Sequence, residues 1–180
     1  LHHVGMLAAE SFLADRKGAL RQRLGGCGLV LSAEHPGKVV ECRAEDRPDR
    51  LLVIKLDGTA VRQLETNERR VEDPMISPDG RAVTYWAAET AGRPNGGSIY
   101  TLAMDGSSPP VQLTDRKAGS DADPTWSPDG TMIAFRRRVS ADNFDVYLMR
   151  ADGSGVRPVA TGPAVEEKPS WSPDGRQMMI

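Results

Sequence analysis

The tetrapeptide Ser-Pro-Asp-Gly occurs three times in this chain of 180 residues, at 77–80, 127–130 and 172–175. Each of the last two copies follows a Pro-x-Trp sequence, at 124–126 and 169–171. The first copy has Ile at the Trp position. A motif that returns every 45 to 50 residues is typical of propeller blades or of helical arrays. The chain is therefore a repeat protein, and the repeated unit decides its fold.

The residue types of the tetrapeptide predict a hairpin corner. Pro suits the second position of a type I turn, Asp tolerates the third, and Gly takes the left-handed conformation that completes the loop. The tryptophans that precede two of the corners recur within a strand pattern, which favours packing between neighbouring sheets. We assign structural roles to all of these repeat residues: Ser77, Pro78, Asp79, Gly80, Trp126, Ser127, Pro128, Asp129, Gly130, Trp171, Ser172, Pro173, Asp174 and Gly175.

The sequence between the corners predicts three further strands in each repeat. A short run rich in β-branched and aromatic residues follows each glycine, as in 131–135. Apolar runs that end in Asp-Gly-Ser, at 98–107 and 145–154, predict a second hairpin. A final short strand closes the unit, as in 111–114. Four strands, A to D, in each repeat predict an all-β fold, a β-propeller of four-stranded antiparallel blades.

The repeats divide the chain into a short N-terminal segment and a series of blades. Phe12, Leu13, Leu20 and Leu24 lie near one face of a helix, so residues 6–24 are predicted to form an amphipathic α-helix. Charged residues interrupt this segment, which is therefore unlike a signal peptide. The predicted units are the helical segment 1–26 and the propeller 27–180, made of a degenerate blade 27–66, blades 67–115 and 116–161, and a partial blade 162–180.

The repeat resembles that of the TolB-like β-propellers. The resemblance lies in Pro-x-Trp-Ser-Pro-Asp-Gly, an Ile-Ala-Phe strand, Asp-Val-Tyr-Leu-Met and Ala-Asp-Gly-Ser. Residues 121–160 match this pattern closely, residues 70–114 match it without the Trp and with a longer loop, and residues 27–66 match it in outline. The same repeat is found in propeller domains of prolyl-oligopeptidase-type peptidases and in oligogalacturonate lyase-like enzymes, so the resemblance predicts the fold more narrowly than the function.

Two interpretations of function follow. The first is a non-catalytic interaction or scaffold module that binds another protein or peptide, within a larger envelope-associated or regulatory protein. The resemblance then implies a periplasmic or extracytoplasmic location. The second is a propeller that accompanies a prolyl-oligopeptidase-type serine peptidase. No Gly-x-Ser-x-Gly nucleophile motif occurs and the three histidines are scattered, so we expect no enzyme activity and no cofactor in this chain.

The length of the chain predicts an incomplete ring. A six-bladed ring needs about 270 residues, at about 45 for each blade. The 180 residues here account for about three to four blades. We favour a piece of a longer protein over association with the blades of another chain or an unusually small ring. Open strand edges would also predict self-association.

Acidic residues precede the proline that opens strand A in each repeat. Strand A is innermost in propellers, so these carboxylates are expected to surround one mouth of the central channel. Converging carboxylates suit a hard cation such as Ca²⁺ or a basic segment of a partner, and a solvated rim is the alternative. Lys168 stands where the other repeats have Asp, and this difference weakens the cation interpretation. The candidate rim residues are Glu72, Asp73, Asp121, Asp123, Glu166 and Glu167.

Charge and cysteine content add two narrower expectations. A net charge of −2 argues against a nucleic-acid partner, and the basic triplet 136–138 is interpreted as strand residues that lead into a loop. Cys27 and Cys42 are expected on paired strands A and B of the degenerate blade. Pairing Ser32 with Lys38 across the turn places Cys27 opposite Arg43, so a disulfide requires a register shifted by one residue.

Overall fold

The computed structural model describes residues 13–14, 20–21, 23–24, 27–29, 37–44, 47–55, 61–66, 70–88, 96–162 and 168–180. Before Leu51 it describes strand membership and pairing only. Within the described ranges every regular element is a β-strand, apart from one turn of 3-10 helix at Arg116–Ala118. The predicted all-β class is confirmed.

The described strands form a series of antiparallel sheets in chain order. A short pair, β1 and β2, precedes a five-stranded sheet of β3 to β7, and strands A to D of the first blade are β4 to β7. The bounds are β1 Leu13–Ala14, β2 Leu20–Arg21, β3 Arg23–Leu24, β4 Cys27–Leu29, β5 Gly37–Ala44, β6 Arg47–Lys55 and β7 Val61–Leu64.

The next two sheets are four-stranded meanders, β8 to β11 and β12 to β15, and a hairpin of β16 and β17 follows. Neighbouring strands are antiparallel throughout, which confirms the predicted four-stranded blade. The bounds are β8 Arg70–Ile76, β9 Ala82–Ala88, β10 Ser98–Ala103, β11 Val111–Gln112, β12 Ser120–Trp126, β13 Met132–Arg138, β14 Phe144–Arg150, β15 Arg157–Ala160, β16 Ser170–Trp171 and β17 Met178–Met179.

The predicted N-terminal helix is wrong for the described residues of its segment. β1 pairs with β2, and Leu13 lies opposite Arg21. β3 joins the edge of the first sheet by pairing with β4. Gly18 lies inside the predicted helix, where glycine costs about 1 kcal/mol relative to alanine. A short helical pattern of this kind is weak, and pairing with a neighbouring sheet overrides it.

Hydrophobic cores lie between the blades. Core one joins Leu51 and Leu64 of the first sheet to Val83, Tyr85 and other residues of the second. Core two joins the second sheet to the third, with these buried members: Trp86, Ala88, Ile99, Ile133, Phe135 and Met149. Because side chains alternate along a strand, β9 sends its odd-numbered residues into core one and Trp86 and Ala88 into core two. Each blade is therefore stabilised by its neighbours, as expected of a repeat array.

The Ser-Pro-Asp-Gly corners share one hydrogen-bond pattern. In the second copy the Ser127 hydroxyl donates to Asp129 at 2.6 Å and accepts from the Met132 amide at 2.9 Å. The first and third copies repeat both contacts. Gly80, Gly130 and Gly175 have φ of 70°, 71° and 69°, which confirms the predicted left-handed position. The corner is a structural device that closes strands A and B.

Successive corners also pack on each other. A Cβ atom added to Gly130 would lie 3.6 Å from Cδ of Pro78 in the preceding corner. At Gly175 the same construction gives 3.5 Å to Cδ of Pro128. The proline of one corner therefore covers the glycine of the next, and the repeat motif contributes to blade stacking as well as to turn geometry.

The corners predict acid sensitivity. Hydrogen bonds from the serine hydroxyl and from the amide two residues on lower the pKa of Asp79, Asp129 and Asp174 below the ordinary 3.8. A lowered folded-state pKa gives stability that is present above the unfolded pKa and is lost as pH falls through the folded one. The free energy of unfolding should therefore decrease below pH 3.8.

The measurement is urea unfolding across this acid range for the wild type and for Asp129→Asn. The variant keeps a turn-forming side chain but no longer titrates, so its stability should depend less steeply on pH. Equal slopes for the two proteins would contradict the role assigned to this carboxylate.

The register of the first sheet differs from the sequence expectation by one residue. Gly28 lies opposite Glu41 and Leu29 opposite Val40. Continuing this antiparallel register places Cys27 opposite Cys42, whereas the sequence-based pairing placed it opposite Arg43. The register of β4 with β5 therefore differs by one residue from the one that the Ser32–Lys38 pairing assumes.

Candidate protein-binding site

The antiparallel meander gives the propeller two faces. We call the face with the starts of β8 and β12, the β13–β14 loop and Lys168 the mouth face. The opposite face carries the Ser-Pro-Asp-Gly corners and the Asp-Gly turns, and we call it the turn face. The start of β12 lies beside the end of β13, since Asp121 is opposite Arg137. The described candidate rim residues, Glu72, Asp73, Asp121 and Asp123, therefore lie at the mouth-face end of their blades.

Asp73 and Asp123 occupy equivalent bulges in consecutive blades. The register of β8 with β9 shifts between Glu72 and Met75, and that of β12 with β13 shifts between Ala122 and Thr125. At these bulges Asp73 has φ of 49° and Asp123 has φ of 52°. A left-handed residue other than glycine costs about 1 to 3 kcal/mol and is retained where the surrounding structure holds it. The two blades thus present an aspartate in the same unusual conformation.

Lys168 connects these two aspartates. It precedes Pro169 as Asp73 precedes Pro74 and Asp123 precedes Pro124, so it is the third member of the repeat position. Its ammonium group donates to Asp73 Oδ1 at 3.2 Å and forms an ion pair with Asp123 Oδ1. Burial lowers the pKa of Lys168, but the hydrogen bond that its ammonium group donates to Asp123 and the charges of Asp73 and Asp123 together raise it above its ordinary value. The lysine is therefore a built-in cation that links three successive blades.

Asp121 lies beneath the mouth rather than on its rim. Its side chain is fully buried, and Arg137 donates to both of its oxygens, at 2.7 and 2.8 Å. The guanidinium lies 5.3 Å from the ring centre of Phe135 and 4.8 Å from that of Tyr147. The hydrogen bond to Asp121 raises the pKa of Arg137. This ion pair caps core two at its mouth end and is a structural feature.

The remaining members of the basic triplet also make contacts within the chain. Arg136 Nε donates to Asp123 at 2.6 Å. Arg138 donates to the carbonyl oxygen of Ser140 at 3.0 Å in the loop that follows β13. The triplet therefore serves strand pairing and loop structure, in agreement with the interpretation from sequence.

Each described carboxylate of the predicted rim forms an ion pair with a lysine or an arginine of the chain. Glu72 pairs with Arg70, Asp73 with Lys168, Asp121 with Arg137, and Asp123 with Arg136 and Lys168. Glu166 and Glu167 lie outside the described residues. Among the residues that the structure describes, no three His, Cys, Asp or Glu side chains come together as a metal site. A preformed cation site thus has no support from the described geometry.

The compensating role of Lys168 gives a testable prediction. Lys168→Asp would place a third carboxylate beside Asp73 and Asp123, which gives a calcium ion three oxygen-bearing side chains. The melting temperature of the variant should rise with calcium, because calcium at about ten times its dissociation constant stabilises the folded state by about 1.4 kcal/mol. The wild type should show no shift in the same titration.

Lys168→Met is the matched control, since it removes the charge without adding a ligand and should not respond to calcium. Differential scanning calorimetry with and without millimolar calcium makes the comparison. A calcium response of the wild type, or none for Lys168→Asp, would contradict the assigned role of the lysine.

The mouth face also carries a shallow groove that sequence reasoning did not identify. It has a volume of about 400 Å³ and is lined by Lys117, Gly119, Ser120, Arg138, Val139, Ser140 and Ala141. The residues come from the 3-10 helix and from the β13–β14 loop, which are distant in sequence. Val139 is exposed in this groove, so the mouth face combines apolar and charged surface.

The repeat tryptophans lie between blades. Trp126 packs against core two, and the indole nitrogen of Trp171 donates to the carbonyl oxygen of Thr125 in the preceding blade at 3.3 Å. Tyr100 and Tyr147 stack on Tyr85 and Phe135 of the neighbouring strand. These aromatic groups pack against other blades or strands, whereas the mouth face carries charged residues.

Successive four-stranded meanders have hydrophobic cores between them, and strand A of the third blade, β12, lies between β8 of the second blade and β16 of the partial blade. This arrangement defines a β-propeller protein. The family model described as TolB beta propeller domain matches residues 38–180. The chain belongs to this family.

The chain is also similar to individual proteins in sequence and to a solved structure in fold. The chain is 33% identical over 122 residues to "Protein TolB homolog" of Chlorobium luteolum, and the match covers 68% of the chain and 26% of the relative. It is 31% identical over 114 residues to "Uncharacterized peptidase YuxL" of Bacillus subtilis, which covers 61% of the chain and 17% of the relative. The crystal structure of TolB from Acinetobacter baumannii superposes with a TM-score of 0.67 at 19% identity, covering 89% of the chain and 44% of that structure.

The chain thus spans less than half the length of each of these relatives. No helix in the described part of the chain is long and apolar enough to cross a membrane.

Proposed function

We propose that this chain is a non-catalytic protein-interaction module whose partner binds the mouth face. The observation that carries the proposal is the cluster of Asp73, Asp123 and Lys168. Two aspartates in left-handed conformations and one lysine, from three successive blades, meet at one point of that face. Backbone strain of this kind concentrates at binding sites. On the turn face, by contrast, Asp105, Asp129 and Asp152 accept hydrogen bonds from amides of their own turns.

The charge arrangement supports a protein or peptide partner. Lys168 is about half exposed, and Asp73 has 36% of its side-chain surface exposed. Both can exchange their mutual contact for contacts to a partner at little cost, since an exposed ion pair contributes about 0 to 1 kcal/mol. Asp121 and Arg137 are buried, so their ion pair stays in place beneath Lys168 and Asp73. Exposed Val139 in the adjacent groove adds apolar contact area.

Residue-specific photo-crosslinking in the intact protein, inside its own cell, tests this proposal. A photo-reactive amino acid at Ala141 or Lys117 would probe the mouth face, because both residues are exposed there. The same amino acid at Ser108, exposed in the turn after β10, would probe the turn face. We expect one discrete protein adduct from both mouth positions and none from Ser108. Adducts from Ser108 with none from the mouth face would overturn the proposal, as would the absence of any adduct.

The alternative is a propeller that accompanies a prolyl-oligopeptidase-type serine peptidase, and the similarity to the YuxL peptidase favours it. The reading frame around these 180 residues discriminates the two. A Gly-x-Ser-x-Gly sequence followed by Asp and His would support the peptidase. Further blades without such a sequence would support the interaction module.

Three narrower proposals accompany the first. The protein acts in the periplasm or another extracytoplasmic compartment, in line with its TolB relatives. Its units are the segment 1–26 and the blades 27–66, 67–115, 116–161 and 162–180. The isolated chain self-associates through unpaired strand edges, since β17 pairs only with β16 among the described strands. Sedimentation of the isolated chain as a monomer would contradict the last of these.

A further inference from the structure

The two cysteines of the chain lie on adjacent strands of the first sheet. Cys27 begins β4, and Cys42 lies within β5. The register pairs Gly28 with Glu41 and Leu29 with Val40, and extending it by one residue places Cys27 opposite Cys42. Cys42 is also paired with Arg50 on the other side, which fixes β5 between two neighbours.

Two cysteines directly opposite each other on antiparallel strands meet the geometric requirement of a disulfide. Residues directly opposite each other on antiparallel strands have Cα atoms about 4.5 to 5.5 Å apart. Disulfides join residues whose Cα atoms are about 4.4 to 6.8 Å apart. Opposite residues also share one face of the sheet, whereas a shift of one residue would place them on opposite faces. The chain has two cysteines, so neither has a competing partner within it.

We propose that Cys27 and Cys42 form an intramolecular disulfide that joins strands A and B of the first blade. A low-molecular-weight disulfide is the oxidant. One cysteine thiolate attacks it to form a mixed disulfide and releases one small thiol, and the second cysteine then displaces the other small thiol. The two protein sulfurs lose two electrons and two protons in total, and the small disulfide is reduced to two thiols.

The bond would hold the blade that supports core one. It closes a loop over residues 28–41, and a covalent loop restricts the unfolded chain more than the folded one. Further along the same sheet, Leu51 of β6 and Leu64 of β7 pack against the second blade. The disulfide therefore stabilises the sheet on which this interface depends.

Thiol–disulfide equilibrium of the full chain tests the proposal. The chain is equilibrated with defined ratios of reduced and oxidised glutathione, once in native buffer and once in urea. Acid quenching, alkylation and peptide mass spectrometry then give the linked fraction. We expect a linked peptide pair that contains Cys27 and Cys42, with an equilibrium constant about tenfold or more higher in native buffer than in urea.

Cys42→Ala/Arg43→Cys is the matched control, because it moves the thiol by one residue to the other face of the sheet. Its native-state constant should be about tenfold or more below that of the wild type. The proposal is overturned if the control links as readily as the wild type, if only intermolecular links form, or if native buffer gives no advantage over urea. The last comparison uses the wild type alone and so stands even if the control does not fold.

Discussion

Replacing Arg137 with alanine should lower the free energy of unfolding by about 3 to 5 kcal/mol, because the change leaves a buried charge without its partner. Asp121 is fully buried and receives two hydrogen bonds from this guanidinium. Arg137 also covers the rings of Phe135 and Tyr147, so its removal opens the mouth end of core two. The measurement is the urea unfolding curve of the variant at neutral pH.

Arg138→Ala is the matched control for this prediction. Arg138 follows directly in β13, but its guanidinium bonds exposed loop carbonyls, so its loss should cost no more than about 1 kcal/mol. The double variant Asp121→Ala/Arg137→Ala should be more stable than Arg137→Ala alone, because it no longer buries an unpaired carboxylate. Equal destabilisation by Arg137→Ala and Arg138→Ala would contradict the structural role of the buried pair.

Phe135→Ala should destabilise the chain by a similar amount, about 3 to 5 kcal/mol. The side chain has no exposed surface, belongs to core two between the second and third blades, and stacks on Tyr147 at a ring distance of 5.9 Å. Truncation removes apolar contacts and leaves a cavity between two sheets rather than inside one. The unfolding transition should therefore become less cooperative as well as shift to lower urea, because the blades depend on each other.

Phe135→Leu tests whether apolar volume at this position is the cause. Leucine keeps most of the apolar contact and loses the stacking, so it should cost less than half of what alanine costs. The same urea experiment compares the three proteins. If leucine and alanine are equally damaging, cavity formation between the blades is not the source of the effect.

The blades could be predicted from the sequence because their determinants are local. The corner in Ser127–Gly130 depends on four consecutive residues, and its hydrogen bonds reach no further than Met132. The second hairpin, after β14, is just as local: the Ser154 amide donates to Asp152 at 2.9 Å. Residue types with strict conformational preferences therefore indicate these turns without any knowledge of the rest of the fold.

The charge balance of the mouth could not be predicted in the same way. Lys168 bonds Asp73 across 95 positions of sequence, and the bulges at Asp73 and Asp123 shift the register of β8 and β12 against their partner strands. Arg137 and Asp121 are easily counted in the sequence, yet only the register of β12 with β13 shows that they pair. Position in the repeat indicated which residues lie on the mouth face, and three-dimensional contacts determine the charge balance there.

The two errors near the N-terminus have a common cause. The helix expected over 6–24 precedes the first repeat, and the pairing of Cys27 with Arg43 was inferred within the degenerate one. There the pattern lacks a Ser-Pro-Asp-Gly corner to fix its register. A displacement of one residue in a turn is enough to exchange the two faces of a strand. The register of the first sheet is therefore set by the pairing of β4 with β5 and of β5 with β6, and not by the local sequence.

Partner affinity tests most directly the central claim that a protein binds the mouth face. The protein captured by mouth-face crosslinking is titrated by calorimetry into the wild type, into Asp73→Asn/Asp123→Asn, and into Asp105→Asn/Asp152→Asn on the turn face. We predict that the mouth-face variant binds at least about tenfold more weakly, equivalent to about 1.4 kcal/mol, while the turn-face variant binds like the wild type. Equal affinities of all three proteins, or a loss confined to the turn-face variant, would contradict the claim.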